Sequence, residues 1–485
     1  MADMPEPAYS HEPADTNKPH AQKGRILLIS VIAAIGGFLF GFDSGVINGT
    51  VDALQLAFDS DAVGTGFNVA SMLLGCAVGA FFAGTFADKF GRKPVLMVTA
   101  AAFIISALGS GLATSSFQFV IARVIGGLAV GAASILSPAY ISEIAPAKIR
   151  GALTTLQQLM IVIGLFIAFL SNYLIAGSAG GASEVFMAGA QAWQWMFWVE
   201  VIPASIFLFG LMLIPESPRY LVAAGMLEKA KAVLSSLSLS ESVEQTIEDI
   251  RSTLRTDRKP SLSDIFAGAA NKIHPLVWVG LGITTLQQFT GINVVFYYGA
   301  TLWQAAGFTE ADALLQNVIS GSVNVLFTFV AIALIDRVGR KPLLMIGALG
   351  QAVMLGILAL LFQSGTALED GGLDLGGNGI FALLAANGYI AFFAVTWGPV
   401  MWVMLGEMFP NQFRGAALAV CGLVHWSSNF AVTMTFPIFL ANFGLGVSYG
   451  IYAFFGLVAY VFVKRYVVET MGRTLEDMSR DAMTH

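Results

Sequence analysis

The heptapeptide Asp88-Lys89-Phe90-Gly91-Arg92-Lys93-Pro94 returns 248 residues later as Asp336-Arg337-Val338-Gly339-Arg340-Lys341-Pro342. Each copy is a knot of charge between long apolar runs, in a chain of which only 12% is charged. A short charged turn between two such runs is the tip of a helical hairpin. Its recurrence at about half the chain length divides the chain into two related halves, and a repeat of this kind fixes the architecture before any single residue is considered.

Composition sets the medium. Apolar residues make up 56% of the chain, above the roughly 45–50% of soluble domains. A membrane-crossing helix needs about 20 mostly apolar residues. Runs of that length lie near 26–48, 64–86, 95–113, 118–142, 152–175 and 194–214, and again near 275–301, 314–334, 343–363, 379–406, 415–439 and 445–465. The expected fold is therefore an all-α membrane protein of twelve transmembrane helices in two six-helix halves. Five segments follow: a disordered tail over 1–24, a first half over 25–215, a linker over 216–273, a second half over 274–466 and a tail over 467–485. Tandem halves of this kind are common among secondary transporters.

The basic residues fix the orientation. Of the 25 Lys and Arg, all but Arg123 fall in the tails, in the linker or in the 2–3, 4–5, 8–9 and 10–11 turns. The opposite loops hold acids such as Asp59, Asp61, Glu310 and Asp312. Both termini are accordingly placed in the cytosol. Within the linker, 228–234 and 243–254 have helical spacing with a charged face; they are read as amphipathic surface helices, either a solvated connection or a latch between the halves. The Gly-, Ala- and Ser-rich stretch 176–192 is read as a flexible outer loop.

Charge at the helix ends suggests a gate. Asp88 and Arg92 in one tip, and Asp336 and Arg340 in the other, can pair with neighbouring helix ends. Glu143 precedes Arg150, Glu407 precedes Arg414, and Glu216 and Arg219 end helix 6. Exposed pairs contribute only about 0–1 kcal/mol each, which suits contacts that break in every cycle. Retention of basic loops on one side is the plainer reading.

Ionisable residues inside spans are costly and point to function. Asp43 interrupts helix 1 and Arg123 lies in helix 4; they carry opposite charge, so pairing relieves the burial of both. Two readings stand: a carboxylate that exchanges its Arg partner for a proton, or a static ion pair. Glu200, in helix 6, is assigned to the gating network facing the cytosol. Amides and aromatics gather in other spans: Gln157 and Gln158, then Gln287, Gln288, Asn293, Tyr297 and Tyr298, Asn324, Trp397 and Trp402, His425 and Asn429. Amides both donate and accept, as sugar hydroxyls require, although they also join helices to each other. Gly291 is a place where helix 7 can loosen. Cys76 and Cys421 lie in apolar runs and form no disulfide framework.

In combination these residues resemble the sugar porter family of the major facilitator superfamily over 25–478. The resemblance rests on the two tips, on Pro215-Glu216-Ser217-Pro218-Arg219, on the run from Gln287 to Tyr298 and on the run from Trp397 to Val403. It implies a central cavity that opens alternately to each side. It also implies a sugar held by Gln158, Gln287, Gln288, Asn293, Asn324 and Trp397, with His425 at a place where relatives carry an amide. Asp43 falls where proton-coupled members have an Asp, and Arg123 at the position of its partner. The chain departs from the family at Ile332 (against Gly84 in the first tip), at Val468, where Pro is usual, and at Ala394, where several facilitators have an acid.

The expected function is monosaccharide transport, of a hexose or pentose, coupled to protons, with no other cofactor and no metal. A uniporter is the nearest alternative and a sugar sensor without transport the remote one. No nucleophile motif, P-loop or His/Cys cluster suggests an enzyme, and nothing suggests nucleic-acid binding. The expected partners are the sugar and the lipid bilayer. The expected setting is a bacterial inner membrane, with the chain working as a monomer.

Overall fold

The computed structural model describes residues 18–146, 149–237, 242–256, 265–267, 272–367, 373–410 and 413–471. The first half holds α1 (Lys18–Val46), α2 (Val51–Phe58), α3 (Ala62–Phe90), α4 (Arg92–Leu112), α5 (Ser116–Ile144), α6 (Arg150–Ala179), α7 (Ala192–Trp198) and α8 (Val201–Leu213). Then come α9 (Pro218–Ala223), α10 (Leu227–Leu237) and α11 (Val243–Thr256). The second half holds α12 (Pro275–Phe289), α13 (Ile292–Ala305), α14 (Glu310–Val338), α15 (Arg340–Ser364), α16 (Gly379–Val395), α17 (Trp397–Met408) and α18 (Arg414–Tyr466).

The repeat extends beyond the heptapeptide. α3 and α14 are each 29 residues long, and each begins at a side-chain cap: Asp61 accepts from the Gly64 N–H, and Thr309 from the Asp312 N–H. Such caps satisfy donors that the first helical turn leaves free. Each helix ends at a glycine with φ near +100°, Gly91 and Gly339, and a new helix starts at once.

Ten helices of the described residues are long and apolar enough to cross a membrane. The expected continuous helix over 275–301 is instead two pieces, α12 and α13, joined by Thr290 and Gly291, with Gly291 left-handed at φ 81°. The run over 379–406 is likewise interrupted, at Thr396. The last two expected spans lie in α18, which Gly444, with φ 72° and ψ 180°, divides into two helices. At ~1.5 Å per residue α18 would extend about 80 Å if straight, more than twice the ~30 Å hydrocarbon core.

Two other expectations are corrected. Helix α1 begins at Lys18, inside the segment read as a tail. The 176–192 stretch is ordered: α6 runs to Ala179, and a small antiparallel hairpin pairs β1 (Val185–Met187) with β2 (Ala190–Gln191). Between the halves, α9, α10 and α11 pack around Leu221, Val222, Ala230 and Ile247 as a satellite core of their own. The halves meet chiefly along α3 with α18 and α6 with α14.

A Cβ at Gly291 would need a left-handed backbone and would come within 2.7 Å of the Tyr452 ring. Gly291→Ala therefore costs about 1–3 kcal/mol and lowers the apparent melting temperature of the purified protein. Gly356→Ala, where an added Cβ meets nothing within 4 Å, leaves it unchanged or raises it slightly, as Ala replaces Gly in a helix.

Candidate functional site

Two polar clusters occupy the interior, one in each half, and a third set of contacts repeats at the charged end of the bundle.

In the first half, α1 and α5 bring Asp43 and Arg123 together, each 1% exposed. The Arg123 Nη1 forms an ion pair with the Asp43 carboxylate. Its Nη2 donates to the Asp43 carbonyl at 3.3 Å and to the Met72 sulfur at 2.8 Å, and the guanidinium lies 5.6 Å from the Phe197 ring centre. The second Asp43 oxygen, Oδ2, has no hydrogen-bond partner. A buried ion pair is sustained only where partners surround it, and this one leaves an acceptor free. Glu200, at the junction of α7 and α8, is also 1% exposed and interacts electrostatically with both Asp43 and Arg123. Its assignment to the gate at the helix ends is therefore corrected: it lies beside the central pair. Its Oε1, too, lacks a hydrogen-bond partner.

In the second half, the break between α12 and α13 gathers the amides. Gln287 Nε2 donates to the Trp397 carbonyl at 2.7 Å, Gln288 Nε2 to Gln287 Oε1 at 3.1 Å, and Asn293 Nδ2 to Gln288 Oε1 at 2.5 Å. Gln288 Nε2 also lies 3.2 Å from His425 Nδ1. Beyond them Asn429 Nδ2 donates to the Tyr297 hydroxyl, and the Thr433 hydroxyl donates to Asn429 Oδ1. Aromatic rings surround the histidine: Trp402 and Trp426 lie 5.1 and 5.3 Å from its ring centre, and Trp426 meets Phe40 of α1 at 5.8 Å. The amides thus satisfy one another, and each could exchange a partner for a hydroxyl.

Not every expected residue joins this group. The Trp397 indole N–H is committed to the Leu344 carbonyl at 2.9 Å. Asn324 is buried on α14, where its carbonyl accepts from the Thr328 hydroxyl. Gln158 is half-buried on α6. Its neighbour Gln157 is buried with both amide atoms unpartnered, a feature that the adjacent pair of glutamines left ambiguous. A recess beside the ion pair, lined by Ser44, Met72, Arg123 and Tyr297 among others, has no room for a water molecule.

At the charged end, Arg92 Nη2 pairs with Glu143 at 3.1 Å and Arg92 Nη1 with Asp88 at 3.0 Å. In the second half, Arg340 pairs with Glu407 at 2.7 Å and with Asp336 at 3.0 Å. Each contact lies within one half of the chain. The cations opposite Glu143 and Glu407 are thus those of the tips, and the Arg414 Nε donates to the Phe409 carbonyl. The side chain of Arg150 lies outside the described residues. Arg219 opens α9, one residue after Pro218.

The glycines of the tips now have a reason. Glu216 accepts from the backbone N–H groups of Arg92 and Lys93 at 3.1 Å, seating a carboxylate on the N-terminus of α4. Glu469 does the same to Arg340 and Lys341 at 3.0 and 2.9 Å on α15. A helix N-terminus attracts anions. A Cβ at Gly91 or Gly339 would fall within 2.3 or 2.8 Å of those carboxylate oxygens. The hydroxyls of Ser217 and Thr470 complete the match by donating to Glu143 and Glu407.

The two sites differ in their titration. Burial pushes the Glu216 carboxyl up, despite its backbone donors and Arg92. For Glu469 burial also acts upward, but N–H groups of Met471, Arg340, Lys341 and Thr470 outweigh it and hold the carboxyl below its ordinary value. The ionised Glu469 therefore stabilises the fold fully above the ordinary glutamate pKa and loses that effect as pH falls through the lowered value. For Glu216 the ionised form is the disfavoured one. Glu469→Gln should lower the apparent melting temperature at neutral pH clearly more than Glu216→Gln, read by thermal unfolding of the full chain in detergent.

The chain is similar to known proteins over nearly its whole length. The family model described as "Sugar (and other) transporter" matches residues 29–482. The glucose transport protein of Synechocystis sp. is 49% identical over 454 residues, covering 93% of this chain and 97% of that protein. The D-xylose-proton symporter of Escherichia coli K12 is 39% identical over 485 residues, covering 93% and 95%. The inward-open structure of the xylose transporter XylE from E. coli superposes with a TM-score of 0.81 at 37% identity, covering 94% of this chain and 99% of that one.

Proposed function

The chain belongs to the sugar porter family of the major facilitator superfamily, and on that premise we propose that it carries a hexose or pentose across a bacterial plasma membrane together with a proton. It is an integral, multi-pass sugar transporter and not an enzyme. The finer reading has twelve crossings: α12 with α13, and α18 counted on either side of Gly444, bring the ten apolar spans to twelve. The charged end with its two tips faces the cytosol, and the acidic end faces outward.

The observation that carries this reading is the chain of amides at the broken helix α12–α13, from Gln287 through Gln288 to Asn293. Such groups bind a polyol by exchanging their mutual hydrogen bonds for sugar hydroxyls. His425 adjoins Gln288 and sets the shape of the pocket beside the rings of Trp402 and Trp426. Gln158 belongs to α6 of the other half, and Asn324 and Trp397 support the second half from α14 and α17.

Proton coupling falls to Asp43. Protonation removes its charge and releases Arg123, whose guanidinium then turns to other partners, Glu200 among them. The halves rock about the midplane, and the ion-paired tips of each half move as units. Relatives that carry glucose and that couple xylose to protons support this class of substrate and ion.

Proteoliposomes test both parts. Addition of a substrate sugar should raise the external pH, and Asp43→Asn should abolish that signal while labelled-sugar counterflow persists. Counterflow without any pH change in the wild type would favour a uniporter. Gln288→Ala removes hydrogen bonds of about 0.5–1.5 kcal/mol each and should weaken sugar binding about 10-fold, measured by counterflow inhibition.

A further inference from the structure

We propose that Asp52 is a positioning residue of the transport cycle, one that ties the two halves together at the outer face and is tightened by external protons. The inference rests on the alternating-access reading above, since only a transporter must open and close this face.

Asp52 lies in the first turn of α2, in the first half. Its carboxylate accepts from the Thr301 hydroxyl at 2.8 Å and from Gln304 Nε2 at 2.6 Å, both on α13 of the second half. Two further contacts cross the same face. Asn48 Nδ2 donates to the Phe296 carbonyl at 2.8 Å, while its Oδ1 accepts from the Ala300 N–H and Asn317 Nδ2. Near the hairpin that follows α6, the Ala182 N–H donates to Glu310 Oε1 at 2.7 Å. Opening outward must break the Asp52 contacts, because its partners belong to the other rigid half.

This closure has no cation in it. No Lys or Arg occurs between residues 26 and 88, between 151 and 218, or between 273 and 336, the stretches that carry all three contacts. From α13 Asp52 meets only the uncharged Thr301 and Gln304. From α14 the charge acting on it is that of Glu310, which is repulsive. Burial, with Glu310, pushes the Asp52 carboxyl up against the lowering effect of its two hydrogen bonds. In the open state the same carboxylate is hydrated and has its ordinary acidity.

The sign follows from linkage. A group that binds its proton more tightly in the closed form shifts the population toward that form as pH falls, and the effect is lost as pH rises through the closed-state value. Protonation keeps both contacts: one oxygen still accepts from Gln304, and the new O–H donates to Thr301 Oγ. Asp52 lies on α2, beyond the end of α1 that carries Asp43, and neither Asp43 nor Arg123 is among the groups acting on it, so its proton regulates closure and is not the one transported. External acidity, which drives a symporter inward, thereby also favours shutting the outer face.

The test is an interlabel distance in the full chain in lipid nanodiscs, with spin labels at Leu56→Cys and Ala311→Cys, both exposed. Native Cys76 and Cys421 are buried. An Asp43→Asn background removes the central carboxylate from the titration. From about pH 8 to about pH 5 the short-distance population should rise severalfold. Asp52→Asn should give the short distance at every pH, and Gln304→Leu should favour the long one. Glu310→Gln should move the midpoint to lower pH. An unchanged pH response in Asp52→Asn, or a Gln304→Leu variant identical to its parent, overturns the proposal. Counterflow by the wild-type chain reports separately: transport with a pH-insensitive distance overturns this inference alone, and absence of transport for every sugar overturns the functional reading.

Discussion

Inside a bilayer each backbone N–H and C=O must find a partner within the protein, and this constraint governs where the helices are allowed to break. α12 and α13 part at Thr290 and Gly291, and the freed Thr290 carbonyl accepts from the Tyr389 hydroxyl of α16 at 2.8 Å. α16 and α17 part at Thr396, and the next carbonyl, that of Trp397, accepts from Gln287 of α12. Each broken helix thus repairs the other. The amides suited to a sugar therefore stand where the backbone already requires polar side chains, and the site and the interruption of the helices share one cause.

The ion pair of Asp43 and Arg123 obeys the same economy in the first half, where the helices that carry it, α1 and α5, are unbroken. Both groups are almost fully buried, so each depends on the other for compensation, and removal of one leaves a buried charge uncompensated. Asp43 Oδ2 and Glu200 Oε1 are buried acceptors that no donor reaches. The two halves divide the work: one is polar through neutral amides and the other through charge.

The ends of the bundle contrast as well. At the charged end the carboxylates of Glu216 and Glu469 sit on helix N-termini, and every ion pair described there stays within its own half. At the acidic end the contacts of Asn48, Asp52 and Glu310 join one half to the other. The first arrangement makes each half rigid and the second holds the halves together, which is the division a rocking motion requires.

Much of this was written in the chain itself. The repeated heptapeptide, the spacing of apolar runs and the one-sided distribution of Lys and Arg determined a helical membrane protein of two related halves, because hydrophobic thickness and charge exclusion act on composition and order alone. The motifs around Gln287 and Pro215 pointed to the kind of protein. Tertiary structure decided which groups meet. Arg92 stands against Glu143, and Glu200 lies beside Asp43 and Arg123. Asp52 finds Thr301 and Gln304 some 249 and 252 residues away. No local pattern encodes such pairs. Their partners are set by how helices from distant parts of the chain pack, and a hydrogen bond depends on ångström-scale positions that periodicity does not carry.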